Sequence, residues 1–233
     1  MEAIIIPTYN ERKNIGLLID LVFASLPKVT VVVVDDDSPD KTADIVKKKQ
    51  KKYKGLDLIV RKKNKGRGAS VVEGMKYILH KYPHAEYIVE MDSDFSHNPN
   101  DIPKLLQQAN ANTVVIGSRY VKGSTIVDWP LYRIILSRFA NSYARFFLGI
   151  PINDLTMGFR CYSKKSLASI DLTKIRHKGF ITLSELAYQL YKKDFLFKEI
   201  PITLVDRTRG KSNANLMEVI KSFFAIIDIR FRS

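Results

Sequence analysis

Asp92 and Asp94 stand two positions apart, directly after the strand-forming run YIVEM at 87–91. Alternate side chains of an extended backbone point to one side, so both carboxylates converge on the strand's end. Like charges held this close repel, and a divalent cation between them removes the repulsion. Mg²⁺ commonly takes one or two carboxylates and fills its shell with substrate phosphate oxygens. A lone Asp-x-Asp is usually a surface turn. This one lies beside two other polar strand ends, Pro7-Thr8-Tyr9-Asn10-Glu11 and Asp35-Asp36-Asp37-Ser38-Pro39-Asp40. In an open α/β sheet, ligands bind beyond such carboxyl ends. Phosphates also require fixed cations. Arg119 in GSRYVKG, Arg133 in WPLYR, and Arg207 and Arg209 in DRTRGKSN offer planar guanidinium groups that match phosphate oxygens. Each alone is an ordinary surface arginine; as a set, on loops between regular elements, they indicate a phosphate-bearing ligand.

Two other chemistries use similar residues and fit the pattern less well. A dinucleotide-dependent dehydrogenase needs a glycine-rich first strand-to-helix turn. PTYNER at 7–12 contains no glycine, and GRG at 66–68 reads as a loop entering a helix. Glycoside hydrolysis needs carboxylates about 5–9 Å apart that flank a scissile bond, whereas Asp92 and Asp94 share one strand end.

The elements that must carry these residues follow from hydrophobic pattern. EAIII at 2–6 and TVVVV at 30–34 are continuous apolar runs, typical of strands covered on both faces. Between them the apolar spacing predicts a helix over 10–25. The alternation continues with helix 40–53, strand 57–61, helix 67–80, strand 87–91, helix 101–109 and strand 113–117, which indicates a doubly wound, mostly parallel sheet. After Gly117 the rhythm changes. LYRIILSRFANSYARFFL at 131–148 predicts one long helix with Arg133, Ser137, Asn141 and Arg145 along a polar stripe, and a last helix is expected over 216–229. Both are amphipathic, which suits either core packing or an interfacial membrane helix; for each helix alone core packing is the simpler expectation.

At 233 residues and 45% hydrophobic, the chain can bury one substantial core, and no repeat or linker divides it. The single cysteine, Cys161, excludes an internal disulfide framework, and with only four histidines a zinc site is not expected. No run approaches the ~18 apolar residues of a membrane-spanning helix. A net charge of +14 implies attraction to phosphates on nucleotides, nucleic acid or an anionic membrane surface. No nucleic-acid motif accompanies that charge, so a nucleic-acid partner is not expected.

Taken in order, IIPTYNER, VVVDDDSPD, MDSDFSHNP, GSRYVKG, WP.YR, DLTMGFR.Y and VDRTRGKS resemble the inverting family 2 glycosyltransferases of the GT-A fold. Within them the resemblance is to dolichyl-phosphate (polyprenyl-phosphate) mannose synthases, and it covers almost the whole chain. It implies one GT-A domain over 1–233, with a nucleotide-binding half at 1–117 and an acceptor-binding, membrane-interface half at 118–233. It further implies Mg²⁺- or Mn²⁺-dependent, inverting transfer of mannose from GDP-mannose to the phosphate of a dolichyl or polyprenyl phosphate. A UDP-glucose-dependent transferase on the same lipid acceptor is the alternative. By position, Pro7, Tyr9, Glu11, Val34 and Asp36 would hold the guanosine part. Asp92, Ser93 and Asp94 would form the metal and diphosphate site, with Ser96 nearby. Arg119 and Arg207 would contact phosphates, and Arg133 and Ser137 would hold the acceptor phosphate. Asn213 stands where the family usually has lysine, and the KGFITLSE loop departs from the commoner wording, which leaves Lys178 and Glu185 without a carried-over role. The expected location is peripheral, at the cytoplasmic face of a membrane. The basic RFRS end suits either an anchorless form that relies on a separate anchoring subunit or a chain cut before transmembrane helices.

Overall fold

The computed structural model describes residues 1–206 and 216–232. Seven strands form one sheet: β1 (Glu2–Thr8), β2 (Thr30–Asp35), β3 (Leu56–Val60), β4 (Tyr87–Glu90), β5 (Thr113–Ser118), β7 (Arg160–Ser163) and β8 (Leu196–Pro201). Their order is β3-β2-β1-β4-β7-β5-β8. Every residue from Ala3 to Thr8 in β1 and from Thr30 to Asp35 in β2 is buried. Their isoleucines and valines are covered by helices on both faces, as a continuous apolar run requires. The helices α1 (Ile15–Ser25), α2 (Thr42–Gln50), α3 (Arg67–Lys81) and α4 (Ile102–Gln108) alternate with the strands up to β5.

The first helix starts later than the apolar spacing predicts. Backbone amides of Asn10, Glu11 and Arg12 donate instead to Ser38 Oγ, Thr42 Oγ1 and Asp40 Oδ2. The ends of β1 and β2 are thereby tied together before the chain turns helical. Strand order reverses between β1 and β4, and a crevice opens at such a switch point. Thr8 and Met91 flank it, so the acidic segment after β4 begins at its lip.

The second half departs from simple alternation. β7 enters between β4 and β5 and runs antiparallel to both. A four-residue strand built from Arg, Cys, Tyr and Ser carries too weak a pattern to be read from sequence. α6 (Lys164–Ala168) and α7 (Thr182–Tyr191) follow, and β6 (Thr125–Val127) pairs with β9 (Thr203–Val205) in a small second sheet. α5 (Leu131–Leu148) spans the expected residues and packs on α8 (Leu216–Arg232). Its packing meets the core-packing expectation only in part: Ala144 and Leu148 are buried in the core, with Tyr143 and Phe147 packed against it. Asn141 of the polar stripe is buried, whereas Leu131, Tyr132, Ile135, Phe139 and Phe146 of the apolar arc are exposed. Asn141 turns inward because it has polar partners there, while Arg145 of the same stripe is exposed.

Candidate active site

The strand-end residues assemble into two adjoining groups. At β1 and β2, Pro7 and Val34 are register partners, and Tyr9 stands exposed with Lys65 Nζ 5.9 Å from its ring centre. Asp35 accepts from Thr8 Oγ1 at 2.8 Å and from the Ser38 amide and hydroxyl. Asp36 is satisfied by Arg61 Nη1, the Gly66 amide and Ser70 Oγ. Glu11 accepts from Asn14. Tyr9 therefore presents a ring at the edge, while Asp36 is fixed below it.

The second group lines a cavity of about 500 Å³ bounded by Asp92, Asp94, Ser96, Arg119, Arg133 and Ser137 among others. The acidic loop is shaped by its own hydrogen bonds. Ser96 donates its amide and hydroxyl to Asp94 Oδ1 at 3.1 and 2.6 Å. Phe95 takes a left-handed φ of 64° to make that turn. The Asp92 amide donates to His97 Nδ1 at 3.1 Å, which places the ring's proton on Nε2 when the ring is neutral. Burial pushes the His97 pKa down, against the opposing pull of Asp92 and Asp94. Ser93 is buried and is not among the residues lining the cavity.

Arg67 and Glu90 belong to this site and were not foreseen. Arg67 Nε donates to Asp92 Oδ1 at 2.8 Å and Nη1 to Glu90 Oε1 at 2.7 Å. Its Nη2 lies 2.6 Å from Asp92 Oδ1 without a well-directed hydrogen bond. Burial opposes the guanidinium charge, but Asp92 and Glu90 more than offset it and raise the pKa further. Glu90 is fully buried, and burial raises its pKa despite Arg67 and Arg160 nearby. The signal in the sequence was GRG itself. Gly66, at φ +139°, caps α3, and any side chain there would strike the Lys178 carbonyl. The motif does enter a helix, and it also aims an arginine.

Two of the expected phosphate-binding arginines, Arg119 and Arg133, are paired with carboxylates. Arg119 is almost buried and forks onto Asp154 at 2.6 and 2.8 Å, with Nη2 also on Thr156 Oγ1. Arg133 Nη1 reaches both Asp206 oxygens at 2.9 Å, and its guanidinium lies 3.9 Å from the Trp129 ring centre. Ser137 Oγ, one turn along α5, accepts from Tyr120 Oη at 2.7 Å. Asn141 joins α5 to the loop bearing Asp154, accepting from the Leu155 and Thr156 amides. Arg207, Arg209, Lys211 and Asn213 lie outside the described residues.

The donor set suits a hard cation. Asp92 and Asp94 reach the cavity, Asp206 lines it paired with Arg133, and among the described residues no cluster of three or more His, Cys, Asp or Glu side chains could enclose a metal. Asp92 and Asp94 would supply part of a coordination shell, as proteins do for Mg²⁺ completed by substrate oxygens. The cavity wall also carries an apolar stretch, Leu136, Ala140 and Tyr143 of α5 with Phe223 and Ile226 of α8, beside polar Thr156, Ser184 and Ser222. One chamber therefore combines charged and apolar walls.

A family model described as glycosyl transferase family 2 matches residues 3–171. A polyprenol monophosphomannose synthase from Mycolicibacterium smegmatis is 35% identical over 227 residues, covering 97% of this chain and 85% of the relative. An undecaprenyl-phosphate mannosyltransferase from Micrococcus luteus is 34% identical over 208 residues, covering 89% and 85%. Among solved structures, glucosyl-3-phosphoglycerate synthase from Mycobacterium tuberculosis, in complex with Mn²⁺, UDP and glucosyl-3-phosphoglycerate, gives a TM-score of 0.68 at 18% identity, covering 98% of this chain and 78% of that one. The mannosyltransferase PcManGT from Pyrobaculum calidifontis, with GDP-Man and Mn²⁺, gives 0.55 at 16%, covering 90% and 57%. At those identities the likeness establishes the fold, GT-A. With the model spanning most of the sequence and two relatives at 34–35% identity, the chain belongs to glycosyl transferase family 2.

Proposed function

We propose that the protein transfers mannose from GDP-mannose to the phosphate of a polyprenyl phosphate, with inversion at the anomeric carbon. The observation that carries this reading is the one cavity lined both by Asp92, Asp94, Arg119 and Arg133 and by apolar α5 and α8 side chains. A phosphate on an isoprenoid chain has that two-part character. The names of the two relatives support the sugar and the acceptor class.

Residues 1–117 carry the nucleotide, with guanosine against Pro7, Tyr9, Glu11, Val34 and Asp36. Asp92 and Asp94 would hold Mg²⁺ or Mn²⁺, which when bound offsets charge on the departing diphosphate. Residues 118–233 carry the acceptor. Arg133 and Ser137, one helical turn apart on α5, hold its phosphate, and Arg119 supplies positive potential behind it. An acceptor oxygen attacks the anomeric carbon as the bond from that carbon to the GDP oxygen breaks. A lipid phosphate is already anionic at neutral pH, so the step needs no general base. Its isoprenoid tail keeps the enzyme at a membrane surface, on the cytoplasmic face. Among the described residues no helix is long and apolar enough to cross a membrane. Exposed Phe146, Phe224 and Phe231, with Arg138, Arg230 and Arg232, fit peripheral contact instead.

The test is a donor and metal screen with a short polyprenyl phosphate, following the lipid-linked sugar formed. Mannose transfer from GDP-mannose that stops on chelation is expected. Faster transfer from UDP-glucose would replace the donor, and no transfer from any sugar nucleotide would sink the reading.

A further inference from the structure

Trp129 is the only tryptophan in the chain. It lines the cavity and packs, partly buried, against the core. Among the described residues, Arg119 and Arg133 are the arginines of the cavity wall, and both lie over this one ring. The Arg133 guanidinium carbon is 3.9 Å from the ring centre, and that of Arg119 is 5.3 Å away. Both distances fall within the roughly 6 Å reach of a cation–π contact, for which indole is the best partner. The local backbone fixes where the ring stands. Asp128 takes a left-handed φ of 63°, Pro130 restricts Trp129 to extended conformations, and the Val127 carbonyl accepts the Asp206 amide at 3.1 Å. The two arginines depend on the ring to different degrees. Asp154 holds Arg119 by both Nε and Nη2, a fork that already sets the guanidinium plane. Arg133 has one side-chain nitrogen engaged among the described residues, Nη1, which donates to both Asp206 oxygens. A guanidinium tethered by one nitrogen can still pivot about it. Contact with the Trp129 ring removes that freedom and leaves Nε and Nη2 for a ligand.

We propose that Trp129 is a positioning residue for the acceptor phosphate: its indole fixes the plane of Arg133, so that Nε and Nη2 meet phosphate oxygens as a preformed fork. The inference rests on the polyprenyl phosphate reading above and adds a residue to which that reading gives no role. It also accounts for the Trp-Pro pair in front of α5. The proline starts the helix, and the tryptophan aims the arginine of its first turn.

Calorimetric titration of the full chain with a short polyprenyl phosphate, and separately with GDP and Mn²⁺, tests this. Trp129→Leu should bind the polyprenyl phosphate about fivefold more weakly than wild type, with affinity for GDP unchanged. Trp129→Phe, which keeps a ring face, should stay within about twofold of wild type. In an Arg133→Ala background, Trp129→Leu should weaken binding no further, because the ring acts through that guanidinium. Wild-type affinity for the lipid in Trp129→Leu overturns the proposal. So does an equal loss in Trp129→Phe, an equal loss of GDP affinity, or a further loss in the Arg133→Ala background. Should Trp129→Leu fail to fold, Arg133→Lys takes its place. A point charge has no plane to fix, so about fivefold weaker lipid binding is expected there, and wild-type affinity overturns the proposal equally. If wild-type protein binds no polyprenyl phosphate, the proposal falls together with the acceptor reading. If it binds the lipid but no GDP, the GDP-mannose reading alone falls, and the lipid titrations still decide the part of Trp129.

Discussion

Asp92 and Asp94 are held by different means, and their substitutions should differ accordingly. Asp92 is shared with Arg67 and braced through its amide by His97, whereas Asp94 is shaped by Ser96 within its own turn. Asp94→Ala should lower mannosyl transfer by at least about 100-fold while the protein stays folded, because the Ser96 amide and hydroxyl that Asp94 accepts belong to its own turn. Full activity without Asp94 would remove the proposed mechanism. Arg133 is only partly buried and paired with Asp206. Arg133→Ala should raise KM for the polyprenyl phosphate about tenfold or more and leave KM for GDP-mannose unchanged; steady-state kinetics with each substrate varied separately decide it. The acidic pair could be read from the sequence, because it ends an apolar strand and like charges there demand an explanation. What those carboxylates touch could not be read. Arg67 lies 25 positions from Asp92, and nothing local marks Arg119 as already engaged by Asp154.

Among the elements, α5 shows how amphipathicity leaves a question open. Its bounds followed from periodicity, but periodicity does not say which face the protein covers. Asn141 settles it here by accepting two amides from the 154–156 loop and donating to Ser137 O and Thr156 Oγ1. Asn141→Ala would leave the Leu155 and Thr156 amides without that partner and should cost about 2–3 kcal/mol in urea unfolding. α7 makes a comparable clamp through Glu185, which receives the Arg176 and His177 amides and contacts the His177 ring at 2.8 Å. Burial would raise the Glu185 pKa, but these contacts outweigh it and hold the carboxyl below its ordinary 4.5. The stabilisation is therefore complete above pH 4.5 and is lost as pH falls through the lower folded value. Glu185→Gln should cost about 2 kcal/mol at neutral pH and flatten the acid limb of the stability profile. Stability curves of the two proteins that stay parallel down to pH 3 would contradict this.

For the molecule as a whole, the parallel half of the sheet was legible because buried β-strands leave unbroken apolar runs. β7 was not, since its antiparallel insertion depends on partners far away in sequence. The exposed aromatic arc of α5 and α8 predicts membrane affinity. Phe146→Asp together with Phe231→Asp, at side chains 81% and 78% exposed, should weaken co-sedimentation with anionic vesicles about tenfold while melting temperature holds.

The Lys178 carbonyl accepts the amides of Gly68 and Ala69 at 2.8 and 3.2 Å. A stretch from the second half of the chain thus closes the first turn of a helix that starts in the first half. Those two N–H groups trade their protons for deuterons slowly only while the stretch stays seated. Isotope uptake at residues 68 and 69 is therefore an intrinsic gauge of whether one half of the enzyme has let go of the other, legible without any label or substrate.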